Sequence, residues 1–502
     1  MPEPEGRMGD TSTDILIVGA GPTGLGAAWK LDELGHEDWC LCEAQPSAGG
    51  LASSVIDEHG FTWDLGGHVQ FSHYQYFDDL MDELLGKDGW LYHDRESWIW
   101  IRDRFVPYPF QLNLHRLPTD ECWQCVRGLL PLAHNGHGPP PTNFGEWIDA
   151  SFGEGIASVF LRPYNFKVWA YPPEELSCKW IGDRVATVDL ERVLENVVRG
   201  RDDVSWGPNN RFRFPKNGGT GAVWSALCSR LLERHPERLR FRHRLTSLDT
   251  ANQLATFDNG LRIRYRKLLS SMPLDVLVHK SDLEGELAPA AADLVHSSTH
   301  VVGVGLKGRP PEHLARKCWM YFPEADSPFY RVTVFSNYSP TNVPDIEKYW
   351  SLMAEVSSSP VKPVDEGRVV DEVIGGMLSS KLITSPDIVH HTWHRRLERG
   401  YPTPSLRRDA ALETLLPAFE RHDVFSRGRF GAWKYEVSNQ DHSFAQGVEL
   451  VERETMRNSP LLSLRRPLGE LRRWMFPGPK SKQGGKRFGK HLAYLDHGDG
   501  MQ

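Results

Sequence analysis

Gly19-x-Gly21-x-x-Gly24 is the feature that most narrows what this chain can fold into. It follows directly on the apolar run Ile15–Val18 and opens the stretch GAGPTGLGAAWKLDEL, which has helical periodicity. Strand, glycine-rich turn and helix in that order begin a βαβ unit. Gly19 permits the tight turn, Gly21 lets a pyrophosphate approach the backbone, and Gly24 lets helix and strand pack closely. The diphosphate then sits at the positive end of the helix. Glu43 closes the second strand run, WCLCE, roughly 20 residues on, where an acid binds an unphosphorylated ribose. A dinucleotide site is therefore expected in the N-terminal part.

Two further features favour FAD over NAD. Gly49-Gly50 follows the acid at short range, and Asp64-Leu-Gly-Gly-His68 adds a second glycine pair beside a histidine. Both pairs allow backbone to approach an extended cofactor. A chain of 502 residues is too long for one core, so two or three domains are expected. The net charge of −8 gives no global attraction to nucleic acid or anionic membrane, so an anionic ligand needs local arginines. Aromatic residues reach 11%, with 17 Trp, which suits ring-lined pockets as well as cores. No apolar run approaches the roughly 18 residues of a membrane span. MPEPEGRMGD does not resemble a signal peptide, and a cytoplasmic protein is expected. The seven cysteines include Cys40 and Cys42 in a strand run and a lone C-x-x-C, Cys122 and Cys125, in a helical stretch. Reduced thiols fit this better than zinc or a redox pair.

Residues 74–86 have helical periodicity, and 97–110 alternates like one strand ending in prolines. Residues 115–204 are mostly helical. The runs 261–271, 300–306, 331–339 and 349–358 read as strands, the last three in a largely antiparallel sheet.

From about Asp14 to Glu449 the sequence resembles the UDP-galactopyranose mutases of the eukaryotic type. The resemblance is carried by AGGLASS, DLGGHVQFSHYQYFDD, VPYPFQ, RPYNFKVWA, GDRVA, GPNNRFRFPKNGGTG, KCWMYFPE, PFYRVTVFSNYSP, GYPTP and SRGRFGAWKYEVSNQDHSF. It implies an α/β fold: a discontinuous Rossmann-type FAD-binding domain, a helical domain and an antiparallel β-sheet domain. The implied segments are 13–95, 205–294 and 425–456 for FAD, 96–112 and 295–424 for the sheet, and 113–204 for the helical substrate domain. The resemblance does not extend to residues 457–502, which from their composition are expected to be a basic, flexible tail. The implied enzyme is an isomerase (an intramolecular transferase) that interconverts UDP-galactopyranose and UDP-galactofuranose or a related UDP-sugar. Reduced FAD attacks the anomeric carbon through N5, a flavin–sugar iminium forms, and there is no net redox change. The implied reductant is NADPH or NADH, and the implied assembly is a homo-oligomer, dimer or tetramer.

Carried over residue by residue, Arg184 and Arg331 bind the diphosphate, whose oxygens suit the planar guanidinium fork. Tyr321, Tyr401 and Tyr435 line the diphosphate region, with Tyr338 and Trp319 in the pocket wall. Tyr108, Gln111, Asn165 and Trp169 match the nucleotide-binding group, with Phe160 and Tyr164 as further stackers and Phe71 on the substrate side. His68 matches a loop histidine that responds to the flavin's redox state, and Gly66 and Gly67 let that loop change dihedrals. Arg429, Asn439 and Asn209 match residues near flavin and sugar, and Arg95 and Ser97 match residues near the nicotinamide. Glycines 19, 21, 24 and 50, with Glu43 and Leu51, complete the cofactor set. Leu51 stands where flavin amine oxidases carry Arg, and Ala222 stands where glycine is expected. Two alternatives are an FAD oxidase or desaturase, which needs no paired diphosphate arginines, and a silent flavoprotein, which needs neither these nor His68.

Overall fold

The computed structural model describes residues 10–134, 139–181, 188–204 and 210–456. Arg184, Asn209 and the tail 457–502 lie outside the described residues.

The glycine-rich turn joins β1 (Thr11–Val18) to α1 (Pro22–Glu33), and β2 (Trp39–Glu43) follows. β1 pairs in parallel with β2 on one side and with Arg262–Ser270 on the other. Leu239–Phe241 extends the sheet beyond β2, and Val424–Ser426 pairs with Arg262–Ser270, both in parallel. A hairpin, Leu245–Asp249 with Leu254–Phe257, adds two antiparallel strands. β1 and β2 carry the apolar runs Ile15–Val18 and Trp39–Cys42 because both faces are covered there, whereas Arg262–Ser270 alternates until its buried end at Leu268–Ser270. Ile15, Ile17 and Leu41 face α1, Gly221–Arg234 and Gln440–Met456, while Leu16 and Val18 face Leu274–Lys280 and Arg408–Glu420.

The second sheet has the order Val389–Pro402, His296–Lys307, Tyr349–Ser358, Arg331–Val334, Trp319–Tyr321, Ser97–Ile101, Arg104–Pro107. All pairs are antiparallel except Trp319–Tyr321 with Ser97–Ile101. Val369, Val373 and Met377 of the helix Val369–Ser379 pack into its apolar core. The helices Thr119–His134, Phe144–Ile156, Arg162–Trp169 and Leu190–Arg199 enclose a third core around Ile148, Phe152 and Trp169.

Three expectations are corrected. The run 97–110 is a hairpin rather than one strand. Arg102 and Asp103 take positive φ of 52° and 63°, and two left-handed residues reverse the chain with the hand a hairpin favours. The strand expected over 331–339 ends at Val334, after which the chain coils to bury Phe335 and Tyr338. The boundary expected at 424 also moves. Helix Arg408–Glu420 buries Ala411, Leu412, Leu415 and Phe419 against the dinucleotide sheet, so the chain has left the second sheet before 408. Among the described residues no helix is long and apolar enough to cross a membrane, and all seven cysteines are free thiols.

Candidate active site

The turn after β1 has the shape a diphosphate requires. Gly21 caps α1 with no side chain, leaving the first helical amides open, and a Cβ added there meets nothing within 4 Å. Gly24 is the opposite case, since its Cβ would lie 1.8 Å from the Gly19 carbonyl oxygen. Gly19 has φ +104°, and Gly50, φ +54°, rests against Gly21. Glu43 is buried at the end of β2; its Oε2 accepts from the Ala20 amide at 2.6 Å and its Oε1 from the Gln45 amide at 2.7 Å. An ionised carboxylate still has acceptor sites for a ribose hydroxyl. Leu51 packs partly buried against the core of the dinucleotide sheet. The open helix end, the glycine cradle and the acid fit an FAD diphosphate and ribose.

A second group forms around a residue that sequence reasoning missed. Glu355 lies mid-strand in Tyr349–Ser358, 2% exposed. Its Oε1 accepts from Arg331 Nε at 2.8 Å and from the Gly67 amide at 2.9 Å. Its Oε2 accepts from Arg331 Nη2 at 2.8 Å and from the Tyr330 hydroxyl at 2.7 Å. Burial would raise this carboxyl, but the Arg331 guanidinium outweighs that and holds it below the usual range. A Cβ on Gly67 would sit 3.0 Å from Glu355 Oε1 and 3.2 Å from Arg331 Cζ, so only glycine lets the His68 loop lie this close. The signal in the sequence was a lone charged residue in an otherwise uncharged strand, and a buried carboxylate has to be paired.

His68 follows Gly66 and Gly67 and feels the charges of Glu355, Arg429 and Arg331. Burial pushes it down to about 4, so the imidazole is neutral near pH 7. Between pH 6.5 and about 4 the unfolded histidine binds a proton that the folded one refuses. Stability therefore rises with pH in that window and falls as pH drops through it, with a slope of up to about 1.4 kcal/mol per pH unit per group. His300, also lowered to about 4 by burial, contributes in the same direction. We expect chemical unfolding at pH 7, 6 and 5 to show this loss, and His68→Gln to flatten it; an unchanged slope rejects the assignment.

Arg429 Nη1 donates to Ser438 Oγ and Nη2 to the Gly400 carbonyl, both at 3.0 Å, and its guanidinium lies 4.9 Å from the Tyr401 ring centroid. Tyr401 and Tyr435 meet at 5.7 Å, and Trp169 touches both. Tyr321 lies edge-on to Tyr164 and tilted against Tyr108, and its hydroxyl accepts from Trp319 Nε1. Phe160 stacks on Tyr164 at 5.3 Å. Gln111 is buried, and Asn165 Nδ2 donates to the carbonyl of Leu161, the residue that caps its helix, at 2.8 Å. Arg95 donates to Ser97 Oγ and lies 5.0 Å from the ring centroids of both Tyr108 and Trp319, beside a small cavity also lined by Glu96 and Trp98. Tyr338 sits beneath these residues, wholly buried among Phe212, Phe214 and Phe335, so it supports the wall rather than presenting a face. Phe71 lies in the His68 loop with its ring against His73, and Asn439, exposed, precedes the helix Gln440–Met456.

Residues 22–374 match the family of flavin containing amine oxidoreductases. A crystal structure of reduced UDP-galactopyranose mutase is 49% identical, superposes with a TM-score of 0.85, and the match covers 89% of this chain and 94% of that one. The chain belongs to the UDP-galactopyranose mutase family. More distant structures share the fold alone. A fatty acid isomerase from P. acnes is 14% identical, with a TM-score of 0.58 over 88% of this chain and 98% of that one. Putrescine oxidase bound to putrescine is 14% identical, with a TM-score of 0.59 over 89% and 100%. The mutase family therefore shares the flavin-oxidase scaffold.

Proposed function

We propose that this chain is an isomerase that interconverts UDP-galactopyranose and UDP-galactofuranose on reduced FAD, as an intramolecular transferase of the eukaryotic-type mutases. The observation that carries the reading is the 49% identity to a mutase over nearly the full length of both chains. It is supported by an arginine clamped beside the His68 loop. When bound, reduced FAD supplies a nucleophile for the anomeric carbon without net oxidation. The chain's own residues hold what leaves. Arg331, fixed by Glu355 through Nε and Nη2, keeps Nη1 for a diphosphate oxygen, and charge developing on departing UDP is stabilised there. Tyr321, Tyr401 and Tyr435 offer hydroxyls along the same path, and Arg429 orients the last two through its ring contacts. Tyr108, Gln111, Phe160, Tyr164, Asn165 and Trp169 hold the uridine. Neutral His68 keeps its loop uncharged beside the flavin. Arg95 and Ser97 receive NADPH or NADH. The free thiols, most of them buried, suit a reducing compartment, in keeping with the cytoplasm.

The test is conversion of UDP-galactofuranose by the FAD-loaded protein with and without dithionite, followed by chromatography of the UDP-sugars. Conversion to the pyranose form only after reduction is the expected result. Turnover by oxidised FAD with peroxide release would establish an oxidase instead.

A further inference from the structure

The loop that carries His68 ends at a cluster the proposed reaction does not use. His73 lies two residues before the helix Gln75–Leu85, and Asp441 and His442 occupy the first turn of Gln440–Met456. The Asp441 side chain is 1% exposed. Its Oδ2 accepts from the His73 amide at 3.1 Å and faces His73 Nδ1 at 3.0 Å. Its Oδ1 faces His442 Nδ1 at 3.3 Å, yet both of these buried atoms lack a hydrogen-bond partner among the described residues. The two imidazoles stand 5.1 Å apart, and the three donor atoms lie within 4.8 Å of one another.

Hydrogen bonding accounts for Oδ2 and leaves the other half of the cluster unexplained. A buried polar atom without a partner costs about 1–3 kcal/mol, and here two face each other out of alignment. A cation between them satisfies both. Metal bonds of about 2.0–2.2 Å in a tetrahedron place neighbouring ligand atoms roughly 3.4 Å apart; Asp441 Oδ1 stands 3.3 Å from His442 Nδ1, while His73 Nδ1 stands 3.0 Å from the other oxygen of the same carboxylate, inside the 4.8 Å that spans the cluster. The His73 side chain is 50% exposed, which leaves the solvent side open for water as a fourth ligand. Two imidazole nitrogens and one carboxylate oxygen select late first-row divalent ions over calcium or magnesium.

We propose that His73, Asp441 and His442 bind one such ion, zinc foremost, and that the ion staples the His68 loop to the helix Gln440–Met456. The proposal is independent of the reaction assigned above.

The test uses tag-free, FAD-loaded protein stripped with a chelator and titrated with Co²⁺ and Zn²⁺ at pH 7.5, with a competing chelator to fix affinity. One ion per chain is expected, with visible cobalt absorption beyond the flavin bands and a raised melting temperature. His73→Gln and His442→Gln, each close to the native volume, are expected to weaken binding about 100-fold. His59→Gln, in a separate cluster with Glu58 and His391, is expected to change nothing. Equal affinity in wild type and His442→Gln overturns the site, as does binding lost in His59→Gln but retained in His442→Gln.

Discussion

Glu355→Ala is expected to destabilise the protein by about 3–5 kcal/mol, the cost of removing one partner of a buried ion pair. The loss comes from three partners at once. Arg331 keeps its charge without a counter-charge, and the Gly67 amide and Tyr330 hydroxyl lose their acceptor. Glu355→Gln separates charge from shape, because its amide NH2 faces Arg331 or Tyr330, both donors. We expect it to recover little of the loss, and Glu355→Asp, which keeps the charge but draws it back by one methylene, to recover more. Turnover is expected to fall in all three variants that remain folded, since both Arg331 and the His68 loop lose their anchor. The effect depends on pH in a defined direction. The folded carboxyl lies below its unfolded value near 4.5, so its contribution is complete above about pH 4.5 and is lost as pH falls through the folded value. Urea unfolding at pH 7 and pH 4 checks the size and the sign. Wild-type stability in Glu355→Ala would remove Glu355 from the centre of the site.

This centre shows what a sequence yields and what it withholds. The glycine-rich turn was legible because each requirement is local. A Cβ at Gly24 collides with Gly19, five residues away, so the residue type itself records the geometry. β1 and β2 were legible for a similar reason, as unbroken apolar runs. Glu355 was not, because its meaning lies in partners 24 and 288 residues distant. The turn at Arg102 and Asp103 was hidden because a single aspartate beside arginine, with no glycine or proline, is a weak turn signal inside an alternating run. The place of helix Arg408–Glu420 was not legible, because the return of a chain to an earlier layer leaves no local mark. For the aromatic group, resemblance named the residues, but only the folded chain gives their arrangement. It brings Tyr321 against Tyr108 and Tyr164, Arg429 over Tyr401, and Tyr338 beneath the surface.

Arg331→Ala is expected to lower turnover about 100- to 1000-fold, the range for removing one preorganised donor from developing negative charge. Substrate affinity should fall less, because uridine is held elsewhere. Arg331→Lys distinguishes charge from geometry. A lysine places one ammonium near the diphosphate but cannot keep Nε and Nη2 on Glu355 while presenting a third donor. If the planar fork matters, Arg331→Lys stays within about tenfold of Arg331→Ala; if charge alone matters, it recovers most of the activity. Arg331→Ala also leaves Glu355 buried without its counter-charge, and burial then drives that carboxyl upward. The double variant Arg331→Ala with Glu355→Gln removes this secondary penalty. It should therefore be more stable than Arg331→Ala while remaining as slow, which separates the structural from the catalytic share of the pair. Wild-type affinity and turnover in Arg331→Ala would show that the diphosphate is gripped elsewhere, and the function proposed for the Glu355–Arg331 clamp would fall with it.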